Sequence, residues 1–294
     1  MRIASNKITD VLRFFRDELK DIYEKDELET IIAYCFEEYL NIKRGELILR
    51  INDTISESEL LKFNFAIKAL KQQKPIQYIL GKADFYGSKF IVNEHVLIPR
   101  PETEELVDLI VKEFKVQSLK FPEISILDIG TGSGCIPIVL KKNIPSAKVV
   151  ALDISEKALE VAKQNAEMNN VEIDFICTDI LNPKSQILNP KLQVDIIVSN
   201  PPYIRISEKD QMQKNVLDHE PHLALFVADN DPLLFYKAIA NMALKQLKPN
   251  GKLYFEINQA YGGETKRMLE SKGFKNAQLV KDINNKNRIL RCMI

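Results

Sequence analysis

The stretch ILDIGTGSGCIPIVL, residues 126–140, constrains the fold more than any other. It is a short apolar run ending in an acid, then glycines at 130, 132 and 134, then an apolar helix start. Glycines at this spacing let the backbone reverse sharply and let a ligand approach main-chain N–H groups. Further apolar runs follow at intervals that helices can fill. Strands are predicted at Ser125–Ile129, Lys148–Asp153, Ile173–Cys177, Val194–Ser199 and Lys252–Ile257, and helices over roughly 134–142, 155–168 and 232–246. Such alternation requires a parallel sheet covered on both faces, an α/β Rossmann-like fold. Leu279-Val280 and Ile289–Cys292 are expected to close the sheet as a final pair, turning at Asn284-Asn285.

The N-terminal part has another rhythm. Ile8, Val11, Leu12, Phe15, Leu19 and Ile22 share one helical face. Asp26 with Glu29 and Ser56 with Glu59 have capping-box spacing, and Lys74-Pro75 is expected to end the helical part. These signals divide the chain into a small helical bundle over 1–74, a linker β-hairpin over 75–95 turning near Gly87-Ser88, and the α/β domain over 96–294. Pro101 opens a helix whose first turn carries Glu102, Glu104 and Glu105, which suits the helix dipole. Nothing in the bundle reads as catalytic, so packing or substrate docking is its expected role.

Composition narrows the partners. Lys+Arg and Asp+Glu are both 41, so the net charge is zero, and neither a strongly nucleic-acid-binding nor a membrane-surface protein is indicated. No apolar run reaches the ~18 residues of a membrane span. The beginning of the chain shows no secretory signal pattern. Cys35, Cys135, Cys177 and Cys292 lie in apolar contexts without CxxC spacing, so reduced core thiols and a cytoplasmic location are expected. His219 and His222 flank Glu220, an incomplete ligand set, so no metal is expected.

The glycine loop admits three readings: a turn without a ligand, a dinucleotide fingerprint, or an S-adenosylmethionine loop. The fingerprint wants a glycine where Cys135 stands. Asp128 ends the first strand, where a carboxylate can pair with an ammonium but repels a pyrophosphate. Asp153, some twenty residues on, is placed to accept from both ribose hydroxyls, which indicates adenosine without saying which cofactor carries it. Its alternative is to cap the next helix, with Ser155 as the rival cap. Asp179 could hold the adenine amino group, with Ile180 against the ring.

SNPPYI, residues 199–204, follows another buried strand. Asn200 precedes a proline and is pushed to extended backbone; Pro201 and Pro202 fix φ and remove two donors. The corner is stiff and rich in carbonyls. The Asn200 side-chain oxygen and the Pro201 carbonyl can both accept from one planar NH2 group, and the Tyr203 ring can stack on it. Such a nitrogen is a poor nucleophile because its lone pair is delocalised. Acceptors on its hydrogens favour electron density on nitrogen as it attacks a sulfonium methyl group.

Asn-Pro-Pro-Tyr resembles the motif of amino-group methyltransferases acting on adenine, cytosine or glutamine. With QYILGKADFYG, VLIPRPETEELV, DIGTGSG and HEPHLALF, the chain resembles the release-factor glutamine methyltransferases over most of its length. The resemblance implies S-adenosyl-L-methionine as cofactor, S-adenosyl-L-homocysteine as product, and N5-methylation of the glutamine in the Gly-Gly-Gln loop of peptide chain release factors. It implies Asp128, Gly130, Thr131, Gly132, Ser133, Gly134, Asp153, Asp179, Ile180 and Asn200 at the cofactor. Asn200, Pro201, Pro202 and Tyr203 would hold the glutamine, with Arg100, Glu102 and Glu220 shaping the rim. The position of Ile180 is often aromatic in the family. A monomer without direct nucleic-acid or membrane contact is expected. The rivals are a nucleic-acid amino-methyltransferase, a glutamine methyltransferase for a ribosomal protein, a non-catalytic adenosine-binding regulator and an NAD-dependent oxidoreductase.

Overall fold

The computed structural model describes residues 5–117, 123–182 and 193–294. The chain divides into two compact units. One comprises residues 1–81 with 213–219, the other 82–212 with 220–294.

The first unit is built on α1 (Ile8–Leu19), α2 (Lys25–Leu40), α3 (Glu57–Lys71) and the short α4 (Ile76–Leu80). The apolar stripes meet as expected: Val11, Phe15 and Leu19 of α1 are buried with Ile32 and Phe36 of α2 and Phe63 and Leu70 of α3. The Phe63 ring meets those of Phe15, Phe36 and Tyr39, two of them edge-on. Ser56 caps α3 in a full capping box, accepting from Glu59 N while Glu59 accepts from Ser56 N. The second predicted box does not form. α2 begins before Asp26 with no side-chain cap, and Glu29 is taken instead by Arg16 of α1, with Nε 2.6 Å from Oε1. Ile22 lies beyond the end of α1 and is exposed. Pro75 does not end the helical part: it precedes α4, whose C-cap Gly81 is left-handed at φ 70°.

The second unit opens with the hairpin of β1 (Lys82–Phe85) and β2 (Ser88–Ile91). Phe85 pairs with Ser88, so the turn residues are Tyr86 and Gly87, one position earlier than the sequence suggests. Both have positive φ, 48° and 71°. Tyr86 is held there by its backbone N–H donating to Glu104 and its hydroxyl donating to Asp108. Those acceptors lie on α5 (Pro101–Gln117), which starts at the proline that the sequence marks.

The chain then runs through β3 (Ser125–Ile129), α6 (Cys135–Asn143), β4 (Lys148–Asp153), α7 (Glu156–Met168), β5 (Asp174–Cys177), β6 (Val194–Ser199) and β7 (Ile204–Arg205). It continues with α8 (Lys214–His219), α9 (His222–Leu225), β8 (Phe226–Val227), α10 (Leu234–Gln246), β9 (Leu247–Glu256), α11 (Gly262–Ser271), β10 (Lys275–Lys281) and β11 (Asn287–Met293). Among the described residues the main sheet has the order β10-β11-β9-β6-β3-β4-β5. β9, β6, β3, β4 and β5 are parallel, and β11 joins β9 antiparallel. β10 and β11 form the expected final pair, with Asn285 left-handed in the turn between them.

Side chains alternate across the sheet. Ile126, Val149, Ile196 and Tyr254 pack one face with α5 and α6, whereas Leu127, Leu152, Ile197 and Phe255 pack the other with α10 and α11. Cys35, Cys135 and Cys292 are buried, but Cys177 is exposed, because it ends β5 at the edge of the sheet. No helix of the described residues is long and apolar enough to cross a membrane.

Candidate active site

The strand order reverses at β3, which has β4 on one side and β6 on the other. Connections leave in opposite directions there and open a crevice beyond the strands' C-terminal ends. A cavity of about 330 Å³ occupies that crevice, lined from the 94–103 segment, the glycine loop, the ends of β4, β5 and β6, and α9 with α10. Its size lies in the usual range for small-ligand sites.

The glycine loop forms one wall. Gly130 N and Thr131 N both donate to Leu152 O, tying the loop to β4. Gly134, the left-handed N-cap of α6, packs so close to α7 that a Cβ would stand 3.1 Å from the Ala162 Cβ. It therefore seats the two helices and does not line the cavity, unlike Gly130, Thr131, Gly132 and Ser133. Gly132 has positive φ, and its N–H donates to Asp153 Oδ2 at 2.8 Å. Asp153 Oδ1 accepts from Ser155 N at 2.9 Å, while Ser155 itself caps α7 by accepting from Ala158 N. The Asp153 carboxylate lines the cavity with acceptor capacity beyond these two bonds. Burial raises its pKa, opposed by the N–H groups of Ser155, Gly132 and Ile154.

Asp128 is placed differently from the sequence expectation of a direct ligand contact. It is fully buried behind the loop and does not line the cavity. Neither of its oxygens has a hydrogen-bond partner, and the buried Thr131 hydroxyl beside the cavity has none either. Burial pushes the Asp128 carboxyl up to about 7, with the nearby Thr131 hydroxyl easing the shift and the Asp153 charge adding to it. A buried acid left unpaired destabilises the ligand-free loop and suits a site completed by a cationic ligand. Asp179 and Ile180 line the far side of the cavity, with Asp179 Oδ1 also accepting from Leu181 N.

The proline corner forms the opposite wall. Ser199 ends β6 with its hydroxyl donating to Ile129 O at 2.6 Å, so the corner is held against the strand that feeds the glycine loop. Asn200, Pro201 and Pro202 line the cavity. The Asn200 Nδ2 donates to Thr103 Oγ1 at 3.3 Å. Tyr203 does not line the cavity: its ring packs into the core on the α10 side, and its hydroxyl donates to Glu256 Oε1 at 3.1 Å. Burial and the Glu256 charge hold its phenol well above the ordinary range. The sequence suggested a tyrosine stacked on substrate; the structure has one that braces the corner from behind.

Arg100 lines the cavity and pairs with Glu220, which is buried and also accepts from Ile98 N at 3.2 Å. The partner lies 120 positions away in the chain, not among the nearby glutamates of α5. Neither Glu102 nor Glu220 lines the cavity. Thr103 and Glu256 were not singled out as site residues by motif, because neither belongs to a spacing pattern. Glu256 is the last residue of β9. It is 2% exposed and accepts from Thr103 Oγ1 as well as from Tyr203. Among the described residues no group of three His, Cys, Asp or Glu gathers for a metal.

A family model described as PrmC N-terminal domain matches residues 10–81, and one described as methyltransferase small domain matches residues 106–223. The chain is 50% identical over 278 residues to the release factor glutamine methyltransferase of Flavobacterium psychrophilum, spanning 94% of this chain and 95% of that one. It is 44% identical over 286 residues to the protein of the same name from Bacteroides thetaiotaomicron, spanning 97% and 98%. Among solved structures, a T. thermophilus 16S rRNA methyltransferase in complex with AdoMet and guanosine matches with a TM-score of 0.50 at 19% identity, covering 72% of this chain and 49% of that one. That likeness concerns the fold, that of the S-adenosylmethionine-dependent methyltransferases. With half of its residues shared across nearly the whole length of such a relative, the chain belongs to the release factor glutamine methyltransferase family.

Proposed function

We propose that this chain transfers a methyl group from S-adenosyl-L-methionine to the side-chain amide nitrogen, N5, of the glutamine in the Gly-Gly-Gln loop of peptide chain release factors. The observation that carries the reading is one cavity with the glycine loop on one wall and the Asn200 corner on the other. It stands in a chain whose relatives are named release factor glutamine methyltransferases.

The residues present fit the cofactor. Gly130 to Ser133 and Asp153 would hold it, with Asp179 and Ile180 at the adenine end. Asp128, buried behind the loop with its carboxyl pushed up to about 7, would be drawn to its ionised form by a cation in front of it, and that coupling favours a cationic ligand. When bound, the cofactor supplies a methyl group activated by positive sulfur. The chain's own residues do the rest. Asn200 and the Pro201 carbonyl accept from the two hydrogens of the glutamine amide, orient its nitrogen and favour electron density there as it attacks. The proton leaves after transfer, so no strong base is required. Pro202 stiffens the corner. Arg100, paired with Glu220, shapes the entrance, and Glu102 follows two positions on in the first turn of α5. The first unit serves in recognition of the release factor, which is the protein substrate of a monomeric, cytoplasmic enzyme without direct nucleic-acid contact. Incubation with labelled S-adenosylmethionine and a release factor tests this. Label should appear in the intact factor and not in one whose loop glutamine is replaced; label in both would refute the assigned acceptor.

A further inference from the structure

We infer that Thr103 and Glu256 are positioning residues for the transfer, deciding which way round the Asn200 side-chain amide is held. This rests on the reading that Asn200 grips the substrate amide. The two ends of a carboxamide have nearly the same shape, so packing alone does not distinguish them. A half-turn about the Cβ–Cγ bond would put an NH2 group where an acceptor is needed. Two NH2 groups would then face each other, and the substrate nitrogen would lose the partner that orients it.

The hydrogen-bond chain excludes that half-turn. Thr103 Oγ1 has one hydrogen, and it is donated to Glu256 Oε2 at 2.6 Å. Toward Asn200 the hydroxyl can therefore only accept, and it accepts from Nδ2 at 3.3 Å. The amide nitrogen is thereby occupied and the oxygen is the end left to act as acceptor. The direction of the chain is set at its buried end. A carboxylate has no hydrogen to give, so both hydroxyls that reach Glu256, those of Thr103 and Tyr203, must point toward it. Thr103 is 3% exposed, and Glu256, 2% exposed and away from the cavity, has no water as an alternative partner. Burial raises the Glu256 pKa, and the Thr103 hydroxyl, the Arg288 charge and the Tyr203 hydroxyl oppose that rise by favouring the carboxylate form. The two ends of the tetrapeptide, Asn200 and Tyr203, are thus both referred to one carboxylate at the end of β9, the first through Thr103 at the start of α5.

A purely structural bond network would show itself in stability alone. An orienting one must show itself at the Asn200 amide and in turnover. Thr103→Val keeps the shape and removes the acceptor. It should lower kcat on the order of 10²-fold, the scale of a misplaced reacting group, with calorimetric S-adenosylmethionine affinity and KM for the release factor little changed. Thr103→Ser should restore most of kcat. Thr103→Val combined with Asn200→Ala should be no slower than Asn200→Ala alone, because both act through one side chain. Glu256→Gln, which lets the chain run in either direction, should resemble Thr103→Val and carries the test if that variant does not fold. The 15N–1H side-chain resonances of Asn200 should move in Thr103→Val and Glu256→Gln and stay in Thr103→Ser. Wild-type kcat in Thr103→Val, a loss that multiplies with that of Asn200→Ala, or unmoved Asn200 resonances would overturn the inference. If the wild-type chain transfers nothing to a release factor, the functional reading fails by itself, while the Asn200 resonances still decide the orientation.

Discussion

Asp153 and Asn200 stand at the ends of β4 and β6, with β3 between them, and removing each should have a distinct effect. Asn200→Ala deletes an acceptor that works on the reacting nitrogen, and one such positioned polar group is worth on the order of 10²–10³ in turnover. Its kcat should fall by that factor while the calorimetric affinity for S-adenosylmethionine stays near that of the wild type. Asp153 reaches no reacting atom; it holds Gly132 N and Ser155 N and faces the cavity. Asp153→Ala should weaken cofactor binding at least tenfold, as loss of a charged hydrogen-bonding group of ~1.5–3 kcal/mol implies. Titration calorimetry measures it. Both residues were legible in the sequence because a strand end followed by a glycine loop or a proline pair leaves little choice of location. The role of Tyr203 was not. Its neighbours set the backbone, but whether the ring turns to the cavity or to the core depends on what α10 and β9 leave open. There Glu256 takes its hydroxyl.

Elements meet at the site through bonds that no local pattern announces. The β1–β2 turn places Tyr86 in left-handed backbone, which a bulky residue adopts only under constraint. The constraint is α5, whose Glu104 and Asp108 take its N–H and hydroxyl. The entrance segment is tied to the start of α9 in the same way. Glu220 is buried and satisfied by Arg100 and by Ile98 N. Arg100→Met leaves that carboxylate with one backbone donor, an uncompensated buried charge costing about 3 kcal/mol or more. Urea denaturation of the variant should show a loss of that size, and Arg100→Met combined with Glu220→Met should recover part of it, since an apolar pair leaves nothing unsatisfied. Recovery would separate the structural part of the pair from any part it has in recognising substrate, which would stay lost. The failed capping box of α2 has the same origin, because Glu29 had a stronger partner in Arg16 than in its own helix.

At the scale of the whole molecule, the second unit gathers Asp128, Asp153 and Glu256 where its strands converge, and burial is the largest cause raising the pKa of each. An acid whose folded pKa is raised binds its proton more tightly in the folded chain. Its stabilising contribution is complete below the unfolded value near 4 and is lost as pH rises through the folded one. For Asp128, pushed up to about 7, the loss runs from about pH 4 to about pH 7, and its last part falls between pH 6 and 8. Ligand-free wild type should therefore lose about 1 kcal/mol over this range relative to Asp128→Asn, or roughly 2–4 °C in Tm. Thermal unfolding of both proteins at the two pH values checks the sign. An equal change in both would mean that Asp128 titrates in its ordinary range. The sequence alone determined the α/β class, the position of the glycine loop, the proline corner and the helical start of the chain. Period, capping residues and backbone restriction act within a few residues, and the chain carries them wherever it goes. Only the tertiary structure decided that Glu220 answers Arg100, that Asp128 stands behind the loop, and that Thr103 and Glu256 meet Asn200 and Tyr203. These partners lie scores of positions apart, and what joins them is the desolvation of polar groups, which acts only once the sheet and its helices have excluded water.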